Sequence, residues 1–191
     1  METRGLVAAA WGLAGTLALL VRAMWRLSPV SVQAFAGYDL TAWQWLFAAG
    51  WVLFMGLFEG YRVFQRNFAP RVVARAYHLA RQPRFVDAML APAFCIGLVH
   101  ASRRRLITSW TVVAGVVSIV FAVHRIAQPY RGIVDAGVVV ALAWGVVAVT
   151  VFAGRAVAGH PPRLPPDLPA ETAQHVATTE ASTERRRYST R

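Results

Sequence analysis

The sequence predicts an all-α membrane protein with four transmembrane helices, an interfacial amphipathic helix and a short re-entrant or interfacial segment. Three observations predict it. Of 191 residues, 57% are hydrophobic and 15% are charged, against roughly 25% charged in an average soluble domain. Four stretches are apolar over the length that hydrocarbon about 30 Å thick demands, around 20 helical residues. The arginines between those stretches are distributed very unequally between the two sides of a membrane.

The first span covers about 5–25, with a charge-free stretch from Gly5 to Val21. Arg4 precedes it as in a secretory signal, but the run ends in Val-Arg-Ala-Met-Trp-Arg instead of a small-residue cleavage site, so a retained span is expected. The second covers about 40–62, charge-free and aromatic-rich from Leu40 to Phe58. The third, about 106–125, follows an arginine triplet, and the fourth, about 133–155, is almost entirely Val, Ala and Gly. These runs lack period-two alternation and exceed ordinary strand length, which favours helix.

Between the second and third spans lie two shorter elements. Residues 69–82 follow Asn67 as a possible cap and hold Pro70 near the first turn, where proline is tolerated. Arg71, Arg75 and His78 recur at helical spacing with Arg81 close by, opposite Val72, Val73, Ala76, Leu79 and Ala80. Such a basic amphipathic helix is expected to lie in the headgroup plane, with Arg71, Arg75 and Arg81 contacting lipid headgroups. The alternative is a solvated helix between spans. The segment 86–102 has an apolar portion, Ala88 to Ser102, of only 15 residues containing Pro92 and His100; that is about 22 Å of helix, short for a crossing.

Charge decides how that segment is read. If it does not cross, Arg4, nine arginines between 62 and 105 and six from 155 onward share one side, leaving Arg22, Arg26, Arg125 and Arg131 on the other. If it crosses, the split becomes nine to eleven. Basic residues concentrate on the cytoplasmic side, so four spans with both termini cytoplasmic are expected. All twenty basic side chains are Arg and none is Lys, which points to GC-rich coding and a bacterial inner membrane. Residues 1–157 would form the bundle. From about 158 the chain turns to Pro, Thr, Ala, Glu and Arg, a composition that builds no core and predicts a disordered cytoplasmic tail over 158–191.

The net charge of +11 raises the possibility of nucleic acid, but no aromatic-basic binding module accompanies the arginines, so anionic lipid is the expected partner. Another membrane protein or a second copy of the chain is the further expectation. Cys95 is the single cysteine, which excludes an intrachain disulfide and a cysteine-based zinc cluster. No metal or other cofactor is expected: His100 and His124 fall on opposite sides of the bilayer in this topology, which argues against paired haem ligation. There is no phosphate-binding glycine loop, no HExxH and no nucleophile beside a base, so catalytic residues are not assigned.

Ionisable groups near membrane depth are functional suspects. Glu59, Arg62, Asp87, His100, Arg103, Arg104 and Arg105 all map to the cytoplasmic boundary and form a candidate polar cluster. Converging guanidinium groups bind phosphate or carboxylate, which would suit a small transporter or channel subunit for an anionic solute. The structural alternative is that the arginines anchor helix ends while the carboxylates neutralise neighbours. Asp135 has Arg131 four residues before it, a local helical pair. The leading functional expectation is an accessory, scaffold or lipid-interacting protein.

The last two spans carry small-residue stripes at four-residue spacing, Ala114, Ser118 and Ala122 in one, Gly137, Ala141 and Gly145 in the other. Small stripes permit close backbone approach in lipid. An antiparallel hairpin would align Ala122 with Gly137, Ser118 with Ala141 and Ala114 with Gly145.

Three stretches carry a resemblance: Phe-Glu-Gly-Tyr-Arg-Val-Phe-Gln-Arg-Asn-Phe-Ala-Pro-Arg-Val-Val-Ala-Arg-Ala (58–76), His-Ala-Ser-Arg-Arg-Arg-Leu-Ile-Thr-Ser-Trp (100–110) and Gln-Pro-Tyr-Arg-Gly-Ile-Val-Asp-Ala-Gly (128–137). Together they make the chain, over roughly 40–150, similar to a set of uncharacterised small inner-membrane proteins of proteobacteria. That resemblance implies a bacterial membrane location and carries no functional residue across.

Overall fold

The computed structural model describes residues 3–82, 84–162 and 164, and of Arg105 the backbone alone. Within them every regular element is a helix: α1 (Thr3–Ala36), α2 (Ala42–Met55), a π-helical segment (Gly56–Phe68), α3 (Ala69–Arg81), α4 (Phe85–Met89), α5 (Ala91–Ile96), α6 (Arg103–Val123) and α7 (Tyr130–Val157). Four helices are long and apolar enough to cross a membrane: Thr3–Ala36, Ala42–Arg81, Leu106–Val123 and Tyr130–Val157. The chain is thus a multi-pass membrane protein by length and composition. Most of the expected tail, 158–191, lies outside the described residues.

Two spans run further than their apolar stretches. α1 passes through Pro29 to Ala36. A proline there removes one backbone donor, and neighbouring hydroxyls bond back to the helix: Ser28 Oγ donates to the Met24 carbonyl (2.7 Å) and Ser31 Oγ to that of Leu27 (3.2 Å). Hydroxyl bonding of this kind lets a membrane helix absorb a proline. α2 begins with a capping box in which the Thr41 side chain accepts from Gln44 N and the Gln44 side chain accepts from Thr41 N. It then continues through the π segment into α3 as one helix, Ala42–Arg81.

That continuity corrects the expected break at Asn67 and Pro70. Asn67 caps nothing; its Nδ2 donates back to the Arg62 carbonyl (2.6 Å). Pro70 enters α3 directly after π-type turns, whose wider spacing leaves room for a ring that would collide with the carbonyl four residues back in a regular helix.

α1 is antiparallel to both α2–α3 and α7. At one end a side chain on Gly5 would strike the Ala80 carbonyl, and Ala8, Ala9, Ala148 and Val149 share one apolar cluster. At the other, Gly132 abuts Ala34 and the carbonyl of Val30. Phe35 meets Trp45 at 5.5 Å between ring centroids. The termini of α1 and α7 and the end of α3 therefore share one end of the bundle.

The core lies at that end. Its cluster draws Ala8 and Ala9 from α1, Ala69, Val72, Ala76, Leu79 and Ala80 from α3, Ala91, Phe94 and Cys95 from α5, and Ala148 and Val149 from α7. α3 is its centre, buried at nine of thirteen residues. A helix enclosed by three others is not lying on a headgroup plane, and burial of this apolar face supplies the reason: α1, α5 and α7 cover it in place of lipid.

α6 behaves differently from the rest. It packs against no other helix beyond isolated contacts, and almost all of its residues are exposed. The expected hairpin between the last two spans is therefore not formed. Ala114, Ser118 and Ala122 are exposed, and Ser118 Oγ donates only to its own helix at the Ala114 carbonyl (2.9 Å). Gly137, Ala141 and Gly145 are buried, but the glycines face the second span: a Cβ on Gly137 would meet Trp51 Nε1 at 2.5 Å, and one on Gly145 would meet Phe64 Cδ1 at 2.6 Å. Bulky rings fill glycine notches more completely than one small stripe fills another, so α2 and the π segment occupy the face expected for α6.

Candidate functional site

The polar groups that the structure gathers lie where α3 meets the segment 84–102. α5 ends in a Schellman turn: Gly97 takes φ 86°, its N–H donates to Phe94 O (3.0 Å), and Leu98 N donates to Ala93 O (2.9 Å). Glycine is favoured there because a Cβ would be strained at that φ. The chain then turns through Val99 and His100, whose φ is 44°, before α6 starts at Arg103. Non-helical backbone enclosed by helices needs donors for its carbonyls.

Arg75 provides them. Its Nε–H donates to the Phe94 carbonyl (2.6 Å), and Nη2 donates to those of Val99 (3.0 Å) and His100 (3.1 Å). The guanidinium stacks over the Phe94 ring at 4.1 Å from its centroid. Arg75 is 2% exposed, so it makes no headgroup contact; the carbonyls of 94–100 take it inward, because a planar group with five donors satisfies several acceptors at once. Arg71 is half-buried and Arg81 is exposed, with Arg81 over the Tyr77 ring at 5.9 Å.

One step further out, His100 Nδ1 pairs with Asp87 Oδ1. Asp87 is buried while the His100 side chain is half exposed. Arg75, Asp87 and His100 thus form a continuous knot that ties α3, α4 and the approach to α6 together. Of the seven residues of the expected cluster, Asp87 and His100 meet. Arg103 and Arg104 follow His100 closely and are exposed; the Arg105 side chain lies outside the described residues. Glu59 and Arg62 belong elsewhere, on the π segment beside Gly60, which faces Trp144 near the middle of α7. The sixteen positions from Glu59 to Arg75 are on the order of 20 Å along a helix, which separates the two groups.

Two features went unread in the sequence. Gly5, Ala8, Gly12 and Thr16 form a buried small face on α1. A Cβ on Gly12 would meet Cys95 Sγ at 2.6 Å and Ala91 O at 3.1 Å, and one on Gly15 would strike the Pro92 ring. This face seats α5 against α1, and the signal was the same small-residue spacing applied above to the last two spans. The second is the inward use of Arg75, which no spacing rule separates from its neighbour Arg71. Among the described residues no three His, Cys, Asp or Glu side chains converge as metal ligands. Arg131 Nε lies 4.0 Å from Asp135 Oδ2 as the expected i,i+4 pair.

Comparison with protein-family models, with curated proteins and with solved structures returns no match to this chain.

Proposed function

We propose that this multi-pass chain is a bacterial inner-membrane accessory or scaffold protein whose basic side, carrying both termini, faces the cytoplasm and meets anionic lipid or a partner subunit. The observation that carries the reading is α6. It is a span of adequate length and apolarity that the chain's own helices leave uncovered, and it begins at Arg103 and Arg104, both exposed. Helix surfaces in lipid associate through packing and small residues, and α6 offers Ala114, Ser118 and Ala122 to a neighbour. The buried charge of Arg75 is committed to backbone carbonyls of its own chain, which favours a structural use of that cluster over solute binding.

Orientation is supported by the sixteen-to-four arginine split and by the shared end of α1, α3 and α7. Reporter fusions at 38, 104, 127 and 160 should read periplasmic, cytoplasmic, periplasmic and cytoplasmic; these sites spare α3, whose core an insertion would break. Extraction in native-lipid particles, followed by mass spectrometry, tests the function. Enrichment of one protein or of anionic lipid above the bulk membrane supports it. Recovery of the chain alone with lipid of bulk composition overturns it.

A further inference from the structure

The π segment (Gly56–Phe68) lies at mid-depth in the bundle. Phe64 fills the notch at Gly145, Trp144 covers Gly60, and Trp144 Nε1 donates to Gln65 Oε1 (2.7 Å); Trp144 and Gly145 are central in the charge-free run 136–154 of α7. At that depth the segment carries Glu59, Arg62 and Arg66. α7 packs on one side of it, and apart from α2 and α3, with which it is continuous, no other helix makes more than isolated contacts. The opposite side is open. Arg62 and Arg66 are exposed and Glu59 is half-buried. None of the three joins an ion pair among the described residues, although Glu59 stands three positions before Arg62. The π-type winding is the reason: Asn67 Nδ2 reaches the Arg62 carbonyl (2.6 Å) and the Arg66 guanidinium the Tyr61 ring (5.8 Å), each across five positions, so residues three apart are turned to different sides. Glu59 comes to one flank of a strip formed by Val63 and Asn67, and Arg62 to the other.

We propose that this strip is the interface of a parallel homodimer in the membrane, in which Glu59 of each copy pairs with Arg62 of the other. The pairing is independent of the α6 surface that carries the proposed function and goes beyond it. Charged side chains within a span are costly and face protein, water or one another, so a carboxylate and a guanidinium left unpaired on the outer side at this depth require cover. The cover has to bring a cation to Glu59 and an anion to Arg62 at one level, and a second copy of this chain brings both. Every copy carries the same arginine distribution and inserts in the same orientation, which places a two-fold axis along the membrane normal. That axis sets the Glu59 flank of one copy beside the Arg62 flank of the other, twice, as e and g positions meet across a parallel coiled coil. The three positions between the partners amount to at most about 4.5 Å along a helix, within the reach of an arginine side chain. Asn67 holds the Arg62 carbonyl through one hydrogen of Nδ2 and retains its second hydrogen and Oδ1 for Asn67 of the second copy, the use a single seam asparagine has in fixing the register of coiled-coil dimers.

The test uses the full chain, fluorescently labelled and reconstituted at low density in bilayers of phosphatidylethanolamine and phosphatidylglycerol, with dimers scored by single-molecule photobleaching. The wild-type chain should dimerise. Glu59→Gln should weaken association about tenfold, as two symmetric contacts worth roughly threefold each would. Glu59→Arg alone and Arg62→Glu alone should each be monomeric, and the chain carrying both exchanges should dimerise again. The sharpest arm mixes the two single variants under different labels: one has cations on both flanks and the other carboxylates on both, so each repels its own kind and pairs with the other. Heterodimers in that mixture also show that both variants are folded. Ser118→Leu on α6 should leave the dimer intact. A monomeric wild-type chain, an unchanged affinity in Glu59→Gln, mixed variants that stay monomeric at the wild-type melting temperature, or dimers lost in Ser118→Leu and kept in Glu59→Arg overturns the interface. The first outcome would make lipid or a different protein the cover of this side, and the last would leave the α6 surface of the proposed function standing.

Discussion

Trp144 of α7 occupies the space that a side chain would take at Gly60: a Cβ built there would lie 3.0 Å from both Cβ and Cγ of Trp144. The relationship is reciprocal one turn away, where Phe64 fills the notch at Gly145. Trp144 Nε1 also donates to Gln65 Oε1 (2.7 Å), which fixes the register of the two helices. Gly60→Val or Gly145→Leu should therefore destabilise the bundle by about 1–3 kcal/mol, as overpacking does, while Gly115→Val, with nothing within 4 Å of its added Cβ, should leave packing undisturbed. Thermal unfolding in detergent decides it; equal melting temperatures for Gly145→Leu and the wild type would refute the interlock.

Removing the Arg75 guanidinium takes the side-chain donor from the carbonyls of Val99 and His100, and one of two donors from that of Phe94. Arg75→Met should cost several kcal/mol, since each buried group left unpaired costs about 1–3 kcal/mol, and Arg75→Lys should recover only part of it because an ammonium lacks the planar fork. The measurement is limited proteolysis between residues 84 and 102. A cleavage rate unchanged in Arg75→Met would show that the segment holds itself without the clamp.

The Cys95 thiol is 1% exposed and pressed against Gly12 of α1. It should resist a membrane-permeant maleimide in the folded protein and react fully once denatured. Gly12→Ala places a methyl 2.6 Å from Sγ, which must push α5 away from α1 and raise the labelling rate. Rapid labelling of the wild-type thiol would contradict the seating of α5.

Because α6 is bare of intrachain packing, Ser118→Leu should change the melting temperature of the isolated chain little, within about 0.5 kcal/mol, as exposed substitutions do. Ala141→Leu, at a position 1% exposed on α7, should lower it clearly. The two measured side by side test the packing of the last two spans, and comparable losses would restore a direct contact between them.

Asp87→Asn retains the shape of the contact to His100 but removes its charge. If the pair anchors the approach to α6, His100→Phe should increase amide exchange across 97–102 more than Asp87→Asn does, because the amide still bonds the ring. Identical protection in all three proteins would show that Arg75 alone holds this turn.

Four apolar helices and an all-α fold were legible in the sequence because crossing hydrocarbon imposes a length and a composition on each segment separately, and a local requirement leaves a local mark. The one-sided arginine pattern was legible for the same reason. The partners were not. Gly137, Ala141 and Gly145 announced a notched face, but whether α6 or the rings of α2 filled it depended on which surface fitted best once all helices were present. Arg71 and Arg75 stand four residues apart on one helix, yet only Arg75 is drawn inward, because the carbonyls of Phe94, Val99 and His100 converge at its position after the chain has folded back. The sequence by itself determined which segments are helical and apolar; the tertiary structure decided which faces meet and which charge is buried, since burial and hydrogen-bond satisfaction are properties of neighbours distant in the chain.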